Sequence, residues 1–472
     1  MSDPVPIVAE KPERLMSLDV FRGMTIIGMV LVNNPGTWSH MFEPLDHAPW
    51  DGWTPTDFIF PFFLFIVGVS MSFSFDKRLA AGLDKVTLFA QVVRRTILIF
   101  ILGAIGAGFP NMRLLGPFVL CYAGIEFLYA DRSDAARAKV FAVVGWILFA
   151  ASAAWFLVNI PYFNGPNRIM SLRSMFPMKS ETPGSAAAAG GVMRLTGVLV
   201  RIAICYFFAS ILLLMTRRWW TRLACALALL FGYWAVEVYV PAPGNYQVAT
   251  EPGTERGAPI NAPFAGHLND YIDVKLLGDH LYKERPDPEG LLSTLPSIAT
   301  VILGMLAGMY LLSADEKSRK TAMLYTAGLV LLGAGALWSL WFPINKRLWT
   351  SSFVVFMAGW ALLFFALCYF ILDVLKFRKW AVPFLVFGTN SILIFFGSGM
   401  MARFFSLIKW QSPDDPDKWI TLQGWIYNTF FVNVFGDYKE QKFASMMYSV
   451  VFILLWLAIV YPLYRKKIFL KV

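Results

Sequence analysis

Residues 14–75 read RLMSLDVFRGMTIIGMVLVNNPGTWSHMFEPLDHAPWDGWTPTDFIFPFFLFIVGVSMSFSF. Two apolar runs, near 18–36 and 55–75, are each long enough to cross a bilayer, which takes about 20 predominantly apolar residues. The first run ends in Asn33-Asn34-Pro35-Gly36, and the second opens with Thr54-Pro55-Thr56-Asp57, an N-capping pattern with proline early in the helix. The loop between them has no Lys or Arg. Instead it holds His40 and His47, three tryptophans (Trp38, Trp50, Trp53) and the acids Glu43, Asp46 and Asp51.

The same pattern repeats along the whole chain. Further runs lie near 86–108, 113–130, 138–160, 194–215, 219–240, 291–313, 321–342, 350–373, 381–403 and 445–466, giving twelve. Composition agrees: 57% of the 472 residues are hydrophobic and only 15% charged, against about 25% charged in soluble chains. A larger core cannot absorb that deficit, because single cores stop growing at about 250–300 residues. The sequence therefore predicts an all-α polytopic membrane helix bundle, and excludes an ordinary soluble enzyme.

Charge orients the bundle. Lys77, Arg78 and Lys85 follow span two, Arg132, Arg137 and Lys139 span four, and Arg217, Arg218 and Arg222 span six. Lys317, Arg319 and Lys320 follow span eight, Lys376, Arg378 and Lys379 span ten, and Arg465, Lys466, Lys467 and Lys471 close the chain. Every even-numbered connection is thus short and basic. By the positive-inside rule both termini are expected in the cytoplasm. This placement also explains the net charge of +10 without nucleic acid. The expected layout is a cytoplasmic tail over 1–17, one membrane domain over 18–466 and a basic cytoplasmic tail over 467–472. Long outward loops fall at 161–193, 241–290 and 404–444, the first containing the low-complexity stretch Gly184–Gly191. No cleavable signal peptide, internal repeat or metal-ligand spacing is visible. The four cysteines lie in apolar runs and read as buried hydrophobes.

Ionisable groups inside hydrocarbon are costly and so mark function by default. They are Asp19, Arg22, Arg94, Arg95, Glu126, Arg201, Glu237 and Arg403. Those near span ends can instead snorkel to the interface. Arg201, in GVLVRIAICYF, is flanked by apolar residues on both sides, so burial in a polar cavity is expected for it. Trp38, Trp50 and Trp53 fit either an interfacial belt or sugar stacking. His40 and His47 lack the spacing of a metal pair.

Together, SLDVFRG, LVNN and DHAPWDGWTPTDFIFPFFLFIVG resemble the heparan-alpha-glucosaminide N-acetyltransferase family and its bacterial relatives, in the transmembrane acyltransferase superfamily. GVLVRIAICYFFAS (197–210), PEGLLSTLPSIATVILGMLAG (288–308), PINKRLWTSSFVVF (343–356) and GTNSI (388–392) extend the resemblance over most of the chain. The family's Leu-Gln-Arg is Leu199-Val200-Arg201 here, and the large N-terminal luminal region and leading span of the animal members are missing. The resemblance implies transfer of an acetyl group from cytosolic acetyl-CoA to an amino sugar on the far side of the membrane, with no metal. The family's catalytic histidine, in His-Ala-x-Trp-x-Gly, matches His47, and its asparagine matches Asn33.

An amine acceptor must lose a proton to act as a nucleophile. Histidine suits that task near neutral pH. On this reading His47 is the general base or a transient acetyl carrier, Asn33 an oxyanion donor, and Asp57 orients the imidazole or holds the sugar. Arg22, Arg94 and Arg95 are the expected phosphate contacts of acetyl-CoA near the inner face, with Arg201 deeper and Asn390 lining the passage. Trp38, Trp50, Trp53 and Asn34 are the acceptor candidates. The expected partners are lipid, acetyl-CoA, an amino sugar or glycan and a second copy of the chain, in a bacterial inner membrane with the site facing the periplasm. A twelve-helix sugar transporter and an O-acyltransferase acting on a glycan hydroxyl are the competing readings.

Overall fold

The computed structural model describes residues 15–109, 112–129, 135–163, 194–243, 267–282, 286–412, 417, 419–436 and 441–470. Gly184–Gly191, most of the first long outward loop, the middle of the second, 413–416 of the third and both chain ends lie outside them.

Each of the twelve apolar runs lies on helix. In order these are α1 (Met16–Asn33), α2 (Ile59–Ala80), α3 (Lys85–Gly108), α4 (Met112–Leu128), α5 (Ala135–Phe163), α6 (Val198–Met215) and α7 (Trp219–Tyr239). After α8 (Leu268–Leu277), a short helix in the second long loop, come α9 (Thr294–Leu311), α10 (Lys317–Trp338) and α11 (Ser351–Tyr369). The eleventh run forms two helices, α12 (Val382–Thr389) and α13 (Ser391–Leu407), bent 71° apart at Asn390. A two-stranded antiparallel ribbon of β1 (Lys409–Gln411) and β2 (Trp419–Thr421) and the short turns α14 (Leu422–Ile426) and α15 (Asn433–Phe435) lead to α16 (Lys442–Arg465). Among the described residues nine helices are long and apolar enough to cross a membrane, ten if the bent pair is one span. Gly116–Leu128 within α4 and Lys139–Trp155 within α5 are shorter apolar helices. This is an all-α polytopic membrane protein.

The predicted cap at Thr54 is present in full. The Thr54 hydroxyl meets the backbone N–H of Asp57 while the Asp57 carboxylate accepts from the Thr54 N–H at 2.9 Å, and Pro55 opens the first turn. Similar caps start α3, where Asp84 accepts from the Thr87 N–H, and α11, where Thr350 accepts from the Phe353 N–H.

Bilayer lipid is as apolar as a leucine side chain, so helices in it associate through close packing rather than water exclusion. α2 and α9 cross where Gly68 faces the Val301 backbone and Gly304 faces the Phe65 backbone; an added Cβ at either would collide with a carbonyl oxygen. α1 and α12 cross the same way at Gly23 and Gly388, facing the carbonyls of Phe384 and Asp19. The main core is built around these crossings, with Ile26, Leu64, Met305, Phe353 and Phe387 all buried. α4 and α5 pack on each other and reach the bundle through α3.

Contacts between loops reveal the alternation. Gly52 N donates to Ile344 O at 2.8 Å, Leu195 N donates to His280 O at 2.9 Å, and the Trp50 ring lies beside His267. These segments belong to the connections after spans one, five, seven and nine, so these four odd-numbered connections gather at one end. At the other end Ser17 N donates to Asp373, tying the start of α1 to the end of span ten.

Candidate active site

The motif His47-Ala48-Pro49-Trp50-Asp51-Gly52 folds back over the start of α2. Asp57, fully buried in the first turn of that segment, accepts with Oδ2 from Ala48 N (3.2 Å), Thr54 N (2.9 Å) and the Thr54 hydroxyl (3.2 Å). Its Oδ1 lies 2.7 Å from His47 Nδ1. A carboxylate so placed can only accept, so Nδ1 carries the proton and Nε2 is the unprotonated base position. Half of the His47 side chain is exposed while Asp57 is covered completely. That is how an orienting group differs from a reacting one.

A third group joins from far along the chain. The Nζ of Lys346 is 3.3 Å from Asp57 Oδ1 and 2.8 and 3.0 Å from Nδ1 and Nε2 of His47. Burial pushes the Lys346 ammonium below the ordinary lysine value, against the pull of Asp57 and Glu289 in the other direction. Lys346 reaches this place because the Asp51 and Asn345 backbones pair like short antiparallel strands and Asn345 Nδ2 donates to Asp51 Oδ1 at 3.2 Å. Gly52 is glycine for a reason: its φ of +99° lets its N–H turn to Ile344.

A second polar cluster lies at the same end. Arg194 pairs with Asp287 at 2.7 Å and Glu289 at 2.6 Å. Burial alone would raise the Asp287 carboxyl, but Arg194 and donors from Thr196, Tyr282 N and Glu289 N hold it below its ordinary value. Asp273 goes the other way. Burial, opposed by the Leu291 N–H and reinforced by Asp287, lifts it to about 7. Arg201 is buried as expected, donates to Gly290 O at 2.9 Å and to the Ser293 hydroxyl, and stacks over Trp349 at 5.1 Å. It therefore sits in the first turn of α6, near the Arg194 cluster and the loop that precedes α9, and not with Arg22, Arg94 and Arg95.

The other candidates are dispersed. Arg22 touches Asp19 (3.2 Å) and the Ser70 hydroxyl (2.5 Å) between α1 and α2. Arg94 donates from Nη2 to both carboxylate oxygens of Glu126 at 2.9 Å, and Arg95 lies over the Tyr206 ring at 5.0 Å with its Nε buried and unbonded. Asn390, at the break of the eleventh span, is buried and binds the chain's end: Nδ2 donates to Ile468 O at 3.3 Å and Oδ1 accepts from Leu470 N at 2.9 Å. Asn33 ends α1 exposed, whereas Asn34 is buried and donates to Val30 O at 3.0 Å. Trp50 is buried beside His267, Trp53 stacks on Phe58 at 5.0 Å, and Trp38 is exposed. Among the described residues no group of three or more His, Cys, Asp or Glu side chains is arranged to hold a metal.

Sequence reading singled out His47 and Asp57 but not Lys346, Asp273 or the Arg194–Asp287 pair. The only available signal for Lys346 was the polar run Asn345-Lys346-Arg347 between two apolar spans, inside a stretch already matched to the family.

Fold and site together define a polytopic helical membrane protein with an imidazole, carboxylate and ammonium grouped at the mouth of the bundle. A family model described as "Heparan-alpha-glucosaminide N-acetyltransferase, catalytic" matches residues 14–107, which contain His47 and Asp57. The chain is 27% identical over 502 aligned residues to the heparan-alpha-glucosaminide N-acetyltransferase of Homo sapiens, covering 98% of this chain. It is 25% identical over 478 residues to that of Mus musculus, covering 97%. In both cases the match spans 60% of the relative's length. The resemblance to this family, read first from the residues, thus extends along nearly the entire chain.

Proposed function

We propose that this protein transfers the acetyl group of acetyl-CoA to the amine of a glucosamine-type sugar, with the donor entering from the cytoplasm and the acceptor from the opposite side. The observation that carries this reading is the His47–Asp57 pair, 2.7 Å apart, within the segment matched by the family model. Asp57, saturated by Ala48 and Thr54, fixes the tautomer that leaves His47 Nε2 unprotonated and able to take the amine proton.

In this reading the end bearing His47 faces away from the cytoplasm, an orientation that the basic even-numbered connections support, and into the periplasm of a bacterial inner membrane. Arg22, Arg94 and Arg95 lie on the cytoplasmic side of the bundle and hold the phosphates of acetyl-CoA, Arg94 exchanging its Glu126 partner for a phosphate oxygen. Asn390 lines the donor's entry beside the C-terminal segment. Asn33 turns its amide to the developing oxyanion. Trp50 and Trp53, with Trp38 and Asn34 nearby in sequence, shape the acceptor's place, and Arg201 orders the outer loop that covers it. The chain acts as a homodimer. The direct attack of the amine is the simpler route; an acetyl-His47 intermediate is the two-step form of the same chemistry.

The test is release of CoA thiol from acetyl-CoA by detergent-purified protein, with and without glucosamine. Glucosamine-dependent release that disappears in His47→Ala supports both the activity and the base. Release that persists in the variant removes His47 from the mechanism. Absence of release with every amino sugar, in folded protein, favours a transporter.

A further inference from the structure

Lys346 has no part in the mechanism so far, yet its position is fixed from several sides. Thr350 N donates to Asn345 O at 3.1 Å, Leu348 N to Asn345 Oδ1 at 3.0 Å, and Trp349 N to Lys346 O at 3.1 Å. The Thr350 hydroxyl donates to Pro343 O at 2.8 Å, and the Tyr233 hydroxyl to Leu348 O at 2.5 Å. Trp349, at φ +52°, holds a left-handed conformation inside this turn, with its side chain buried. Non-glycine residues adopt that conformation only at a cost in energy. The turn delivers one ammonium to one imidazole.

The chemistry has a vacancy of matching kind. When an amine attacks a thioester, an N–C bond forms and a C–S bond breaks. The amine nitrogen loses a proton and the departing sulfur gains one. His47 Nε2 can take the first. To supply the second, the same imidazole would have to reach from the nucleophile to the leaving group, while its Nδ1 stays bound to Asp57. Asp57 cannot supply it, since both of its oxygens are engaged by donors.

We propose that Lys346 is the general acid of the reaction, giving an ammonium proton to the sulfur as the C–S bond breaks; this rests on the acetyl-transfer reading above. The neutral Lys346 amine is then 3.0 Å from His47 Nε2, from which it recovers the proton that His47 took from the acceptor. The net change is acceptor amine plus acetyl thioester giving acetamide plus thiol, with both residues returned to their starting states. The buried Asp57 carboxylate balances the positive charge throughout. Burial lowers the Lys346 ammonium below its ordinary value, which makes it a readier proton donor than a solvated lysine.

The test compares two donors in wild type, Lys346→Met and Lys346→Arg, with glucosamine as acceptor and the uncatalysed rate subtracted. One donor is acetyl-CoA; the other is the acetyl thioester of 4-nitrothiophenol, whose thiolate leaves without protonation. With acetyl-CoA, kcat/KM should fall about 100-fold or more in both variants, and with the aryl thioester by less than about threefold, because only the first leaving group needs an acid. A thermal melt with and without CoA, unchanged in the variants, establishes that they fold and still bind the nucleotide. Equal losses with both donors would overturn the proposal and leave Lys346 a positioning residue. Restoration by arginine would reduce its role to charge, and unaltered acetyl-CoA turnover would remove it from the reaction. If wild type itself acetylates no glucosamine from acetyl-CoA, the acetyl-transfer reading fails first, and the two failures are thereby told apart.

Discussion

Asp57 carries two duties with one side chain, a helix cap and an imidazole anchor, and both depend on its being an acceptor only. Asp57→Asn puts an amide N–H where the Thr54 or His47 donor now points. It should cost about 1–3 kcal/mol of stability and lower acetyl transfer by at least about 100-fold, read by thermal melting and CoA-thiol release; retention of full activity would contradict the orienting role. Asp273 makes a prediction about pH. Its carboxyl is lifted from 3.8 to about 7, so between those values the folded state holds a proton that the unfolded state has lost. Stability from this group is therefore greatest in acid, declines as pH rises towards about 7, and is flat above it. Asp273→Asn, which can still accept from Leu291 N, should flatten the pH dependence of the melting temperature between pH 5 and 7 and be the more stable form at pH 8. At this scale the sequence was legible only where site residues are neighbours. His47 and Asp57 share one loop and cap, ten residues apart, whereas Lys346 lies 299 residues from His47 and arrives through a backbone pairing that no spacing rule shows.

Helices could be read from the sequence because each apolar run is of bilayer length and bounded by charge or a cap. Their crossings could not. Gly68, Gly304, Gly23 and Gly388 look like any glycines in apolar runs, and only the backbone approach of α2 to α9 and α1 to α12 reveals their use. Gly304→Leu should force the Phe65 backbone away and abolish folded, monodisperse protein in size-exclusion chromatography, while the same change at Gly232, which has open space around it, should be tolerated. If both variants elute as wild type, the close crossing is not what holds α2 and α9. The 71° break in the eleventh span was equally hidden. Thr389-Asn390-Ser391 interrupts the run by only three polar residues, which are as compatible with a continuous helix as with the bend whose buried Asn390 binds the C-terminal segment.

The molecule as a whole is organised by the alternation of short, basic even-numbered connections with odd-numbered ones, of which the first has no Lys or Arg. Loop contacts bring the connections after spans one, five, seven and nine to the end that bears His47, while Arg22, Arg94 and Arg95 lie in the halves of α1 and α3 nearer the other end. In the proposed function, donor and acceptor meet at one site from opposite compartments. A cysteine-free variant with a single cysteine added after Lys467 should be labelled by an impermeant maleimide only once the cytoplasmic face is opened; labelling in intact cells would reverse the orientation. The most direct measurement traps glucosamine inside sealed proteoliposomes and adds labelled acetyl-CoA outside, with wild type or His47→Ala. The account predicts labelled N-acetylglucosamine in the lumen with wild type, none with the variant, and none when both substrates are supplied outside alone. Product that forms only when donor and acceptor share a side would contradict transfer across the membrane.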